Sequence, residues 1–130
     1  MLKENQTNFS FEESKQKLEQ AITDHSWGKL HVHDIHSILS NKGLKIDRLM
    51  VYEICKPAYA YKLMSVDEEK ILSPMLPCRV TLYEKSDGKT YISRMDIGLF
   101  TSNMSPLTKE VMNTVAEELE QTISSIIKLD

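Results

Sequence analysis

A chain of 130 residues with 41% hydrophobic and 27% charged side chains has the size and balance of one globular domain, able to bury a core without disulfides or metals. No apolar run approaches the ~20 residues of a membrane span, and a net charge of −3 with interspersed acids and bases offers no broad positive field for nucleic acid. The charged opening, Met1-Leu2-Lys3-Glu4-Asn5-Gln6, has no apolar stretch of the secretory kind, which predicts a cytoplasmic protein with reduced thiols.

A single domain is expected over residues 1–130, with residues 1–9 forming a polar lead that holds at most a short edge strand. Ser10 then caps a helix, with Glu13 placed to reach back to the cap amide, and Phe11, Leu18, Ala21 and Ile22 recur on one face. Trp27-Gly28 breaks it. Lys29-Leu30-His31-Val32-His33 alternates as a half-buried strand, Leu30 and Val32 on one side and the histidines on the other. Asp34 opens a short helix through Ile35, Ile38 and Leu39, which Asn41-Lys42-Gly43 closes. Residues 45–54, carrying Ile46, Leu49, Val51 and Tyr52, are too apolar for an exposed edge and predict a central strand.

Pro57 suits the first position of a helix running to about residue 66, with Ala58, Tyr61 and Met64 spaced by threes and Leu63 off that line. Asp67-Glu68-Glu69 starts one further turn that ends at Ser73-Pro74. Residues 78–84 and 90–95 predict a hairpin about Ser86-Asp87-Gly88-Lys89. Residues 96–104 read as irregular, and Ser105-Pro106 opens a C-terminal helix over 106–127 whose stripe is Val111, Val115, Leu119, Ile123 and Ile126. The hairpin makes the sheet at least partly antiparallel, and amphipathic helices need a sheet to cover. The expected fold is therefore α+β, with an antiparallel-rich sheet and helices mainly on one face.

Both cysteines lie at expected strand boundaries with a proline close by: Cys55 before Pro57, Cys78 after Pro77. Their spacing is not that of a zinc knuckle, so joint action requires the fold to bring them together, as it would if the two strands were antiparallel neighbours. Thiolates there would suit a soft metal, a haem iron, sulfur transfer or a redox disulfide. Against this stands the ordinary role of free cysteine as a small buried apolar residue. His31, His33 and His36 crowd one segment, and His33 joins Cys55 and Cys78 as a candidate metal ligand, although a solvated strand face carries such residues without purpose. Lys56, Lys62, Arg79 and Arg94 form a candidate anion-receiving set, and Tyr52, Tyr59, Tyr61 and Tyr83 candidate aromatic walls. There is no phosphate loop, nucleophile elbow or catalytic carboxylate pair.

Cys55-Lys56-Pro57-Ala58-Tyr59-Ala60 and Leu76-Pro77-Cys78-Arg79-Val80-Thr81-Leu82-Tyr83-Glu84, followed by Asp87-Gly88-Lys89, resemble the domain-of-unknown-function family numbered 302. The opening helix at residues 11–22 and the segment from His33-Asp34-Ile35 to Leu44 extend the resemblance over nearly the whole chain. It implies a compact α+β domain, usually a homodimer, and no established reaction. Many members read Cys-Asn-Pro where this chain has Cys55-Lys56-Pro57, so a role for an asparagine amide is not carried over. The functional expectation is a non-enzymatic module that binds an unidentified small ligand through Cys55, Lys56, Pro57, Cys78 and Arg79. The alternative is thiol chemistry at Cys55 and Cys78, with a metal ion or haem as the cofactor to test. Self-association is expected from the resemblance and from the long stripe at residues 111–126; nucleic acid and membrane are not expected partners.

Overall fold

The two long amphipathic helices need a common apolar surface, and an antiparallel sheet supplies it. The computed structural model describes residues 1–129. In chain order it contains β1 (Leu2–Gln6), α1 (Phe11–Asp24), β2 (Gly28–Asp34), α2 (Ile35–Ser40), β3 (Leu49–Cys55) and α3 (Pro57–Met64). A 3₁₀ strap (Asp67–Met75) then leads to β4 (Cys78–Glu84), β5 (Thr90–Met95), the short α4 (Ile97–Phe100) and α5 (Pro106–Ile123). The five strands are ordered β1-β5-β4-β3-β2, and every neighbouring pair is antiparallel. The expected α+β fold is therefore present.

Strand alternation turns Tyr52 and Ile54 of β3, Val80 and Leu82 of β4 and Ile92 of β5 toward the helices, where all five are buried. Phe11, Leu18 and Ile22 of α1 and Val111, Val115, Leu119 and Ile123 of α5 meet them in one core cluster. The α5 stripe is covered within a single chain, Ile126 included. It thus leaves no apolar excess that calls for a second copy, and the expectation of self-association keeps only the family resemblance behind it. No helix among the described residues is long and apolar enough to cross a membrane.

The caps follow the sequence signals. The Glu13 amide donates to Ser10 Oγ at 3.2 Å, and the Thr108 amide to Ser105 Oγ at 3.2 Å. Gly43 and Gly88 both adopt positive φ, +77° and +79°, as the end of α2 and the hairpin turn require. Residues 1–9 hold a short edge strand, β1, paired with β5 from Leu2↔Met95 to Gln6↔Tyr91. Four expectations need correction. A register shift between Lys29 and His31 bulges β2 and leaves Leu30 exposed rather than beside Val32. The third strand begins at Leu49, so Ile46 lies in the preceding loop. In α3 the buried residue is Leu63, while Tyr61 of the expected threes-spaced face is exposed. Finally, residues 96–104 contain α4, capped by Asp96, and α5 ends at Ile123, after which a turn lets Ile127 bridge Thr7.

One charged group lies inside this core. Arg94 of β5 is only 4% exposed and donates two hydrogen bonds to Glu120, Nε to Oε2 at 3.0 Å and Nη2 to Oε1 at 2.7 Å, and a third from Nη1 to Asn5 Oδ1 at 2.8 Å. The fork ties β1, β5 and α5 together. Burial pushes the Glu120 carboxyl up, but the Arg94 hydrogen bonds and charge outweigh it and hold the group below the usual carboxylate value. Because the folded value is the lower one, this stabilisation is present above the unfolded pKa of ~4.3 and is lost as the pH falls through the depressed value. Glu120→Gln is expected to cost about 2–3 kcal/mol at pH 7 in urea unfolding, less than for a wholly buried pair because Glu120 is partly solvated. That gap should shrink at about pH 3.

Candidate functional site

β3 and β4 are adjacent and antiparallel, with Ile54 opposite Cys78. The last residue of β3, Cys55, is therefore diagonal to the first residue of β4, Cys78, at one end of the sheet. Pro57 opens α3 immediately beyond, and the backbone of Lys56 accepts from the amides of Tyr59 and Ala60 at 3.0 and 3.1 Å, turning the chain back over the strand ends. Tyr59, Ala60 and Leu63 of α3 then roof a cavity whose floor is Ile54, Cys55 and Cys78. Val111, Met112 and Val115 of α5 close one side, and Trp27, Lys56, Leu76 and Pro77 complete the wall. Its volume is about 20 Å³, room for roughly one water molecule.

Two further hollows adjoin it. Across Pro77 and Cys78 lies one of about 70 Å³, reached by Met75, Arg79, Met95, Ile97 and Leu119. A third, too tight for water, lies beneath the strap among Leu63, Leu72, Met75, Leu76 and Thr108. Met112 lines all three.

The rim is polar, and most of its groups already have partners. Trp27 Nε1 donates to Thr122 Oγ1 at 2.8 Å, which explains how a buried indole is tolerated. Lys56 Nζ lies 5.0 Å above the Trp27 ring, donates to the His25 carbonyl oxygen at 2.7 Å and reaches Glu118 Oε1 at 3.5 Å. It clamps the end of α1 to α5. The other carboxylate oxygen, Glu118 Oε2, is buried with no hydrogen-bond partner among the described residues.

Of the residues selected from the sequence, Cys55, Lys56 and Cys78 converge on the cavity, and Pro57 acts by starting α3. His33 does not join them, and Arg79 lies beside the second hollow rather than the first. Arg79 pairs with Glu53 Oε1 at 3.9 Å, and His33 is hydrogen-bonded to Glu53 Oε2, on the sheet face away from the helices. His31 packs edge-on against His33 at 4.3 Å. His33 is opposite Val51, four residues and about 13 Å of strand from Cys55. No group of three or more His, Cys, Asp or Glu among the described residues is arranged to hold a metal ion. The cations expected to receive an anion also disperse, with Arg94 in the core, Lys56 in its clamp and Lys62 5.9 Å above the Tyr59 ring. Of the four tyrosines only Tyr59 reaches the cavity. Trp27 and Met112 also line the cavity, and neither is among the site residues the sequence predicts. A lone tryptophan at a helix-to-strand junction was the available signal for the first, and nothing in the sequence marks the second.

The thiols sit in an apolar setting. Burial raises the Cys55 thiol above its ordinary value. Burial, reinforced by Cys55 itself, pushes Cys78 up to about 11. Both are neutral near pH 7, the reverse of an activated nucleophile.

Residues 3–128 match the family described as "Domain of unknown function DUF302". Among solved structures, the chain is similar to one described as "Crystal structure of uncharacterized conserved protein DUF302 from Bacillus stearothermophilus". The TM-score is 0.83 at 21% identity, over 95% of this chain and 96% of that one, a likeness of fold. No curated protein matches.

Thiol titration checks the electrostatics. At pH 7 Cys78 should react with an aromatic disulfide reagent roughly 100-fold more slowly in the native protein than in the urea-unfolded chain, and more slowly than Cys55. Equal, rapid labelling of both would show that the site is open and its thiols are ionisable.

Proposed function

The chain belongs to the DUF302 family, and from that premise, which brings a fold and no reaction, we propose that it is a non-enzymatic module binding a small ligand at the Cys55–Cys78 cavity. The observation that carries this reading is a built hollow: β3, α3, β4 and α5 all contribute side chains to one apolar space at the sheet end. Cys55 and Cys78 on its floor lie in stretches that carry the family resemblance. Residues with neutral thiols, a clamped lysine and no catalytic pair can hold a molecule but supply no acid, base or nucleophile suited to neutral pH. The alternative, thiol-based metal, haem or sulfur chemistry, draws on the shared location of Cys55 and Cys78, and requires their deprotonation on loading.

Thermal-shift measurements against neutral organic molecules, anions, metal ions and haem separate the two. A neutral molecule at ~100 times its Kd should raise Tm on the order of 10 °C. Ala60→Met, which fills the cavity, should remove that shift, whereas Cys55→Ser and Cys78→Ser should retain it. Loss of the shift in both serine variants assigns the function to the thiols. No shift with any class contradicts ligand binding here.

A further inference from the structure

We infer that the ligand is uncharged and largely apolar, and that it is admitted by displacement of the strap at Asp67–Met75, which Glu69 latches to the start of α5. This rests on the binding reading above and deepens it by naming the ligand class and the gate.

The ligand class follows from the lining. The cavity walls are aliphatic, aromatic or neutral thiol, with Lys56 as the one charged side chain, and its ammonium is taken up by the His25 carbonyl and Glu118. A charged ligand would give up its hydration to enter the apolar first and third hollows, where a cation would meet only the unpartnered Glu118 Oε2 at the rim and an anion only Arg79 beside the second hollow, itself paired with Glu53. A neutral apolar molecule gives up little and gains contacts the small void now lacks.

The need for a gate follows from size. About 20 Å³ on one side of Pro77 and Cys78 and about 70 Å³ on the other are well short of the ~300 Å³ where common ligand pockets begin. The divisions between the hollows are Leu76, Pro77 and the side chain of Met112. Methionine has three rotatable bonds and repacks readily. Leu76 and Pro77 are carried by the strap's own end, so movement of the strap together with Met112 merges the three spaces into one.

The strap is held lightly. It runs nine residues in 3₁₀ turns, longer than that geometry usually persists, and none of its residues is fully buried. Ile71 at its middle is 82% exposed. Its polar tether to the body is Glu69, whose Oε1 accepts from Ser105 Oγ at 2.8 Å and whose Oε2 accepts from Thr108 Oγ1 at 2.5 Å. Those hydroxyls belong to the cap of α5, where a carboxylate is also favoured by the helix dipole. Leu72, Met75 and Leu76, partly buried over the third hollow, supply the apolar seal.

Hydrogen exchange and probe binding on the full chain and on Glu69→Gln test both parts. Glu69→Gln keeps the side-chain shape and removes the charge. Amides of residues 67–76 should exchange at least about fivefold faster in the variant while β3 and β4 stay protected. Nile red, uncharged, should bind saturably and associate several-fold faster with the variant, and anilinonaphthalene sulfonate should bind at least about tenfold more weakly than Nile red. Unchanged strap exchange and unchanged association overturn the latch while leaving the site. Equal affinity for the two probes overturns the ligand class. Failure of Nile red to bind either protein, with the strap loosened as expected, overturns the ligand class and the binding reading while upholding the latch.

Discussion

The antiparallel register of β3 and β4 is the constraint on which the site depends. Pairing of Ile54 with Cys78 settles two matters together. It puts Tyr52, Ile54, Val80 and Leu82 on one face for α1 and α5 to cover, and it brings residues from two distant stretches to a common sheet end. A one-residue slip would send the apolar set to the other face, so the hydrophobic core and the position of Cys78 beside Cys55 are specified by the same hydrogen bonds. The connection between these strands, α3 and the strap, then has to fold back over the end it has just left, and the cavity is the space enclosed by that return.

Charge is used mostly for fastening. Arg94 and Glu120 tie the edge strand and α5 to the sheet, Lys56 and Glu118 tie α3's start to α5, and Glu69 ties the strap to the α5 cap. Each bond joins elements that are distant in sequence, and three of them end on α5. That helix is therefore both the core's lid and the anchor for everything surrounding the site. Arg94 and Lys56, spent this way, are not free for an anionic ligand.

Much of this was legible in the residues. The caps at Ser10 and Ser105, the Asp87-Gly88 turn and the α5 stripe are local signals with strong periodicity, and they emerged where expected. The neighbouring placement of Cys55 and Cys78 stays open in the sequence, conditional on two apolar strands pairing antiparallel, which they do. What was hidden depends on non-local contacts. The bulge that exposes Leu30 comes from matching β2 to β3, and no pattern within Lys29–His33 encodes it. The single-chain cover of the α5 stripe reflects how much of α1 and the sheet lies under it. The separation of His33 from the thiols is a matter of distance along the strands, which is fixed only once registers are known. Met112 looks like any gap filler until three hollows are found to share it.

The central claim is that the space floored by Cys55 and Cys78 is a binding site for a neutral small molecule. The most direct measurement is two-dimensional NMR of methyl-labelled protein titrated with a small apolar solute such as benzene. The account predicts saturable shifts concentrated on the methyls of Leu63, Leu76, Val111, Met112 and Val115, with Val51 and Thr81 on the far sheet face unmoved. Linear, unsaturated shifts spread over both faces, or saturation centred away from this cavity, would contradict it.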